Sequence, residues 1–405
     1  MNILLTTYFY LPHVGGLSTY VHALRKELER LGHQVDVFAH HPDMQKYYML
    51  NNGRTLDKAT IKEPIYEKIY SYYERHMKHV DPWIRWRDIE RYSFETAAAA
   101  FGLGKYDLIH TQDIVSTRAL WRVKPKATPL ISTVHGCLAE EFIYTGEITG
   151  KDTLPWRYVA TEEFYGAESS NMTIVPTQWL KKLMISEFGV SGKKLKVVPY
   201  GMDINAFQKL AEQPTSLDAR PGQKILICPA RLVHIKGHKY LLDALAMLKN
   251  VRTDWKCYLL GNGPAKDELL EQRKGLHLEE HVEFLGDRHD VPSLLRIADI
   301  FVLPSIQDNL PFSIMEAQSL GKPIVVSDAG GIPEMVSHGK NGLVSPAGQS
   351  EPIFFNLLHL LQNDGLRAQM GEQAKRWANQ QWSIQKMMDR TLAAYANVLS
   401  QRFVQ

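Results

Sequence analysis

DIFVLPSIQDNLPFSIMEAQSLGKPIVVSDAGG, residues 299–331, holds one complete architectural unit. DIFVLPS and PIVVSD are short apolar runs ending in Pro, Ser or Asp, the pattern of strands buried on both faces of a parallel sheet. Between them Pro311 favours a helix start, because the first helical turn tolerates a residue without an N–H. Strand, helix and strand in that order make a βαβ unit.

The same alternation recurs on either side. Towards the amino terminus the strand-like runs are NILLTTYFY, QVDVFA, YDLIHT, PLISTVHG, MTIVPT and KVVPYG. Later ones are KILICPAR, WKCYLLGNGP, HVEFLGD and, after the opening stretch, GLVSP. Residues 17–31, 178–188, 238–249 and 264–275 show helical spacing, and Gly32 stands where a helix-stopping glycine is expected. Strand and helix alternating twice over predict two doubly wound α/β domains. A chain of 405 residues also exceeds what one compact core holds. The expected division is residues 1–202 with a last helix in 384–405, and residues 203–383, with a linker-like polar stretch over 211–223.

Composition narrows the class. With 44% hydrophobic and 22% charged residues the chain is an ordinary globular one, and a net charge of +3 is too small to make nucleic acid the default partner. Cys137, Cys228 and Cys257 lack metal-ligand or redox spacing, which fits a reducing compartment and apolar packing. The amino terminus has no basic residue before its apolar run and reads as a strand, and no run approaches the length of a membrane span. A cytoplasmic protein is expected. Residues 45–100 are dense in aromatic and basic side chains, which suits helices with a solvated rim, an acceptor groove or contact with the inner membrane surface.

Ligands of open α/β sheets bind beyond the carboxyl ends of strands. After the first strand comes PHVGG, where Gly15 and Gly16 would let the backbone and a helix mouth approach a phosphate. After the first strand of the second half comes ARLVHIKGH, where Arg231 and Lys236 could neutralise a diphosphate without a metal. His135 also follows a strand, beside Gly136. LLGNGP imitates a dinucleotide fingerprint, but Lys266 occupies its third glycine position, so a tight turn is expected instead. No Asp-x-Asp pair or Walker A pattern is present.

Asp308 and Glu316 lie eight positions apart at the start of the predicted helix. Ser313 and Glu316 could form a capping box that consumes Glu316 in a bond to the backbone. Alternatively both carboxylates stay free to accept hydrogen bonds from the vicinal hydroxyls of a ribose or hexose. Local sequence leaves both schemes open.

PHVGG, VHG, VPT, VVPYGMD, ARLVHIKG, LLGNGP, VEFLGD, DIFVLPS, the 308–336 stretch and NGLVSP together resemble the family 4 retaining glycosyltransferases of the GT-B fold. The resemblance implies two Rossmann-like domains facing a cleft, with the last helix crossing back to the first domain. It also implies transfer of a hexose-type sugar from a nucleotide-diphosphate donor, most commonly a UDP-sugar, to an acceptor hydroxyl in glycan, glycolipid or polysaccharide synthesis. Residue by residue, it assigns Arg231 and Lys236 to the diphosphate and Gly16, with Gly15 beside it, to a phosphate-contacting backbone. Gly286 and Arg288 go to the nucleobase and Glu316 to the ribose. Asp308 and His135 go to the hexose, with the backbone of Asn309, Leu310, Pro311 and Phe312 aimed at the sugar and phosphate. At 308 the family pattern has Glu, one methylene longer. No metal or cofactor besides the nucleotide-sugar co-substrate is implied. The acceptor class stays open among glycan, lipid-linked and small molecules. A GT-B sugar phosphorylase and a non-catalytic GT-B partner subunit are the alternatives on the same architecture; a nicotinamide enzyme would need the intact fingerprint.

Overall fold

The computed structural model describes residues 1–215, 217 and 222–400. The linker stretch 211–223 and the end of the 384–405 segment therefore lie partly outside the described residues. The chain forms two compact units, Met1–Val198 with Met388–Gln405, and Pro199–Met387.

The first unit carries β1 (Asn2–Tyr10), β2 (Gln34–His40), β3 (Lys46–Met49), β4 (Thr55–Asp57), β5 (Leu108–Thr111), β6 (Leu130–Thr133), β7 (Met172–Val175) and β8 (Leu195–Val197). Their order in the sheet is β4-β3-β2-β1-β5-β6-β7-β8. Every pair from β2 through β8 is parallel; β3 and β4 add an antiparallel hairpin at one edge. All residues of β5 and β6 are buried, as strands covered by helices on both faces must be. That hairpin was not predicted from sequence, although Asn51-Asn52-Gly53 at its turn is a hairpin signal. The expected helices of the 45–100 segment follow it, at Lys58–His76 and Pro82–Phe101.

The second unit carries β9 (Lys224–Pro229), β10 (Trp255–Leu260), β11 (Val282–Gly286), β12 (Ile300–Leu303), β13 (Ile324–Ser327) and β14 (Leu343–Ser345). They form an all-parallel sheet in the order β11-β10-β9-β12-β13-β14. Numbered within the unit this is 3-2-1-4-5-6, the doubly wound Rossmann order, and its switch point lies between β9 and β12. A continuous core joins these strands to the flanking helices through Leu226, Leu245, Leu259, Val302 and Leu357. The division falls inside helix Ile384–Ser400: Met387 belongs to the second unit and Met388 onward to the first, within which Tyr395 bonds His110 at 2.7 Å. All three cysteines are buried and unpaired in disulfides. Among the described residues no helix is long and apolar enough to cross a membrane.

Candidate active site

The carboxyl ends of β9 and β12 carry the densest cluster of predicted residues. After β9 the chain runs through Ala230 and Arg231 into a short 3₁₀ turn, His234–Lys236, and then Gly237 at φ 70°. Gly237 is required by two features: the left-handed backbone, and the carbonyl of Pro304 just past β12, which a Cβ would meet at 2.0 Å. Ile306 N–H donates to Ile235 O at 2.7 Å, tying the two loops together. This close approach brings Lys236 against Asp308, and the two form an ion pair with side chains only 16% and 12% exposed.

The Asp308 carboxylate is well occupied. Besides Lys236, its Oδ2 accepts from the Ser305 hydroxyl at 3.1 Å, and its Oδ1 accepts from the Asn309 N–H at 3.1 Å. Gly331 N–H donates to the Asp308 carbonyl at 3.0 Å, and Gly330, at φ 56°, leaves space for that same carbonyl. Two expectations for the following loop are thereby corrected. The Asn309 N–H is taken by the neighbouring carboxylate, and Pro311 has no N–H to aim at a ligand. For the N–H groups of Leu310 and Phe312 no acceptor is found among the described residues. The Phe312 ring lies flat on Tyr200, centroids 5.2 Å apart and planes 6° from parallel, which holds the loop-to-helix junction.

Helix Phe312–Ser319 has Pro311 at its N-cap and no side-chain cap, so the capping box does not form. Glu316 is part-buried, and its carboxyl has no hydrogen bond or ion pair among the described residues. Burial alone pushes its pKa up to about 7. Arg231 is exposed, and its guanidinium likewise has no hydrogen-bond or ion-pair partner among the described residues. The site thus presents one unpaired cation, one paired and oriented cation, and one desolvated carboxyl awaiting donors. His238, absent from the sequence reading, is buried behind Lys236 with neither ring nitrogen bonded among the described residues. Burial, then the Lys236 charge, hold its pKa down to about 4.

The rim continues across the sheet. Gly261, at φ 124°, and Gly263 each lack the Cβ that would strike a carbonyl of the β9 loop, at Ala230 and Leu232. LLGNGP is therefore less a tight turn than a close backbone approach. Gly261 N–H donates to Gly286 O at 2.8 Å, placing the end of β11 next along the rim. Gly286 itself sits at φ 67°. Arg288 is engaged by Asp290 through two bonds of 2.8 and 2.7 Å, so its fork does not point freely at a base.

In the first unit, the remaining predicted residues lie past the carboxyl ends of β1, for Gly15 and Gly16, and β6, for His135. Helix Gly16–Arg30 opens without a side-chain cap and without an acid in its first turn, so its amino-terminal dipole is not offset locally. Gly15 has φ 162°, extended backbone that any residue adopts. The ring of Tyr20 from this helix meets His135 edge-on at 4.8 Å. His135 Nε2 lies 3.1 Å from Gln112 Oε1, and burial holds its pKa down to about 3. It is a neutral imidazole at physiological pH, able to donate one bond and accept another. No group of three or more His, Cys, Asp or Glu with metal-holding geometry occurs among the described residues.

Residues 14–206 match the family description Glycosyltransferase Family 4, and residues 211–377 match Glycosyl transferases group 1. The MMP α-(1→4)-mannosyltransferase of Mycolicibacterium hassiacum is 26% identical over 423 residues, covering 99% of each chain. The UDP-Gal:α-D-GlcNAc-diphosphoundecaprenol α-1,3-galactosyltransferase of Escherichia coli is 24% identical over 302 residues, 73% of this chain and 76% of that one. Among solved structures, HepE of Anabaena in complex with UDP and glucose superposes with a TM-score of 0.69 at 21% identity, covering 98% of this chain and all 100% of the other.

Proposed function

The chain belongs to the family 4 glycosyltransferases of the GT-B fold, and on that premise we propose that it is a retaining enzyme using a nucleotide-diphosphate sugar, with UDP as the carrier. In this reading the second unit binds the donor and the first presents the acceptor. The observation that carries it is the pairing of free Arg231 and oriented Lys236 with an unbonded Glu316 carboxyl at one strand switch point.

The chemistry follows from those charges. As the anomeric C–O bond breaks, negative charge accumulates on the β-phosphate oxygen, where Arg231 and Lys236 stabilise it. The free N–H groups of Leu310 and Phe312 add two neutral donors on the same loop. Ionised Glu316 accepts from the ribose hydroxyls, fixing the nucleoside. The acceptor hydroxyl attacks the face the diphosphate leaves, its proton passing to the departing phosphate oxygen, so that configuration is kept. His135, held neutral, contributes a hydrogen bond to the hexose and not a charge. Arg231 supplies the net positive charge and the Asp308-paired Lys236 supplies oriented N–H donors, so no metal is required.

For the acceptor, the Escherichia coli relative's substrate, a diphosphoundecaprenol-linked sugar, supports a lipid-linked or glycan class. Exposed Tyr66, Tyr70 and Tyr72 on helix Lys58–His76 suit contact with such a substrate at the inner membrane surface, on the cytoplasmic side. The test is a panel of UDP-, GDP- and ADP-sugars scored by thermal shift, then proton NMR of the product made from the best donor. An α-linked product from an α-linked donor supports retention; inversion, or no stabilisation by any nucleotide sugar, overturns the reading.

A further inference from the structure

We infer that Asp308 is a positioning residue for Lys236 and not a ligand of the transferred hexose, so that this enzyme selects its donor sugar without a carboxylate from this position. The inference rests on the donor-site reading above. Three protein donors converge on the Asp308 carboxylate: Lys236 Nζ, the Ser305 hydroxyl and the Asn309 N–H. Its main chain is clamped as well, by the Gly331 N–H at 3.0 Å and by the fit of its carbonyl against Gly330. A side chain fixed at both ends cannot swing outward without breaking several bonds at once. Ser305 is itself held, since the Ser327 hydroxyl donates to its carbonyl, so the brace extends to the end of β13.

Side-chain length supplies the rest. A Glu here would carry its carboxylate about 1.5 Å farther from the same Cα, past the Lys236 ammonium. Asp stops short, at the ammonium. Lys236 then spends one N–H on Asp308 and keeps two for the phosphate, aimed in a fixed direction. Because the pair is close to neutral, the net positive charge for the diphosphate comes from Arg231. Lys236 supplies direction and Arg231 supplies charge.

The experiment compares calorimetric affinities for UDP and for UDP-glucose in the unaltered protein, Asp308→Asn, Lys236→Ala and the double variant. We expect Asp308→Asn to move both affinities by the same factor, leaving their ratio within about threefold, and to have no further effect on UDP once Lys236 is Ala. A loss of about tenfold or more confined to UDP-glucose, with UDP binding unchanged, means Asp308 touches the sugar and overturns the inference while the donor-site reading stands. If the unaltered protein binds neither ligand, both fall. Asp308→Glu, which keeps the charge, serves the same comparison should Asp308→Asn fail to fold: a preserved ratio with lowered turnover supports the brace, and a rise of about tenfold or more in UDP-glucose binding alone also supports it, by restoring the missing reach. A fall of that size in the ratio overturns it.

Discussion

A Cβ on Gly237 would stand 2.0 Å from the carbonyl oxygen of Pro304, and that single missing atom lets the β9 and β12 loops meet. Gly237→Ala must either vacate the left-handed region or push the loops apart. We expect it to destabilise the second unit by about 2 kcal/mol or more, the sum of a left-handed penalty and a backbone clash. Denaturant unfolding should show the loss, and nucleotide affinity should fall with it. An unchanged midpoint would mean the loops tolerate separation.

Arg231 and Lys236 should separate by their effect on stability. Arg231→Ala removes an exposed cation with no partner found among the described residues, so turnover should drop roughly 10²–10³-fold with the unfolding midpoint unmoved. Lys236→Ala leaves the part-buried Asp308 carboxylate without its cation. It should therefore lose about 1–3 kcal/mol of stability besides activity. Equal melting temperatures for the two variants would contradict the pairing.

Glu316 makes the site sensitive to pH. Its folded pKa, raised to about 7, exceeds the ordinary carboxylate value, so the folded state holds a proton the unfolded chain has released. The stabilising contribution is complete below the unfolded pKa and is lost as pH rises through about 7. Glu316→Gln should therefore gain stability over the unaltered protein at pH 8, by roughly 1–2 kcal/mol, and gain little at pH 4.5. Function runs the other way: because the ionised form accepts two ribose hydroxyls, UDP affinity should rise between pH 6 and 8 in the unaltered protein and stay flat in the variant, as read by calorimetry at each pH.

Transfer should persist in excess chelator. Arg231 and the oriented Lys236 are proposed to meet the leaving diphosphate directly, so initial rates with and without EDTA should agree. Strict dependence on added Mg²⁺ or Mn²⁺ would remove that role from the pair.

Much of the architecture is legible in the sequence. Runs such as LIHT, LIST and IVVS open on apolar residues and end in a polar one, the pattern of a short strand buried on both faces, and helical stretches separate each from the next. The β3–β4 hairpin was missed because Lys46–Met49 and Thr55–Asp57 are short, edge-placed and partly exposed, so they lack a continuous apolar signature. The glycines of KGH, LLGNGP and DAGG were visible as residues, but the carbonyls they make room for lie on other loops.

Sequence alone determined the order of the buried parallel strands along the chain, the loops that hold Arg231, Lys236, Asp308 and Glu316, and the family, because apolar period and residue type are local properties. Only the tertiary structure decided which polar group satisfies which. Lys236 and Asp308 are 72 residues apart yet bonded, Arg288 is claimed by Asp290, and Ser313 leaves Glu316 uncapped. Hydrogen-bond partners are allotted by through-space distance, and the distances here are set by backbone segments that pack against each other across a strand switch point.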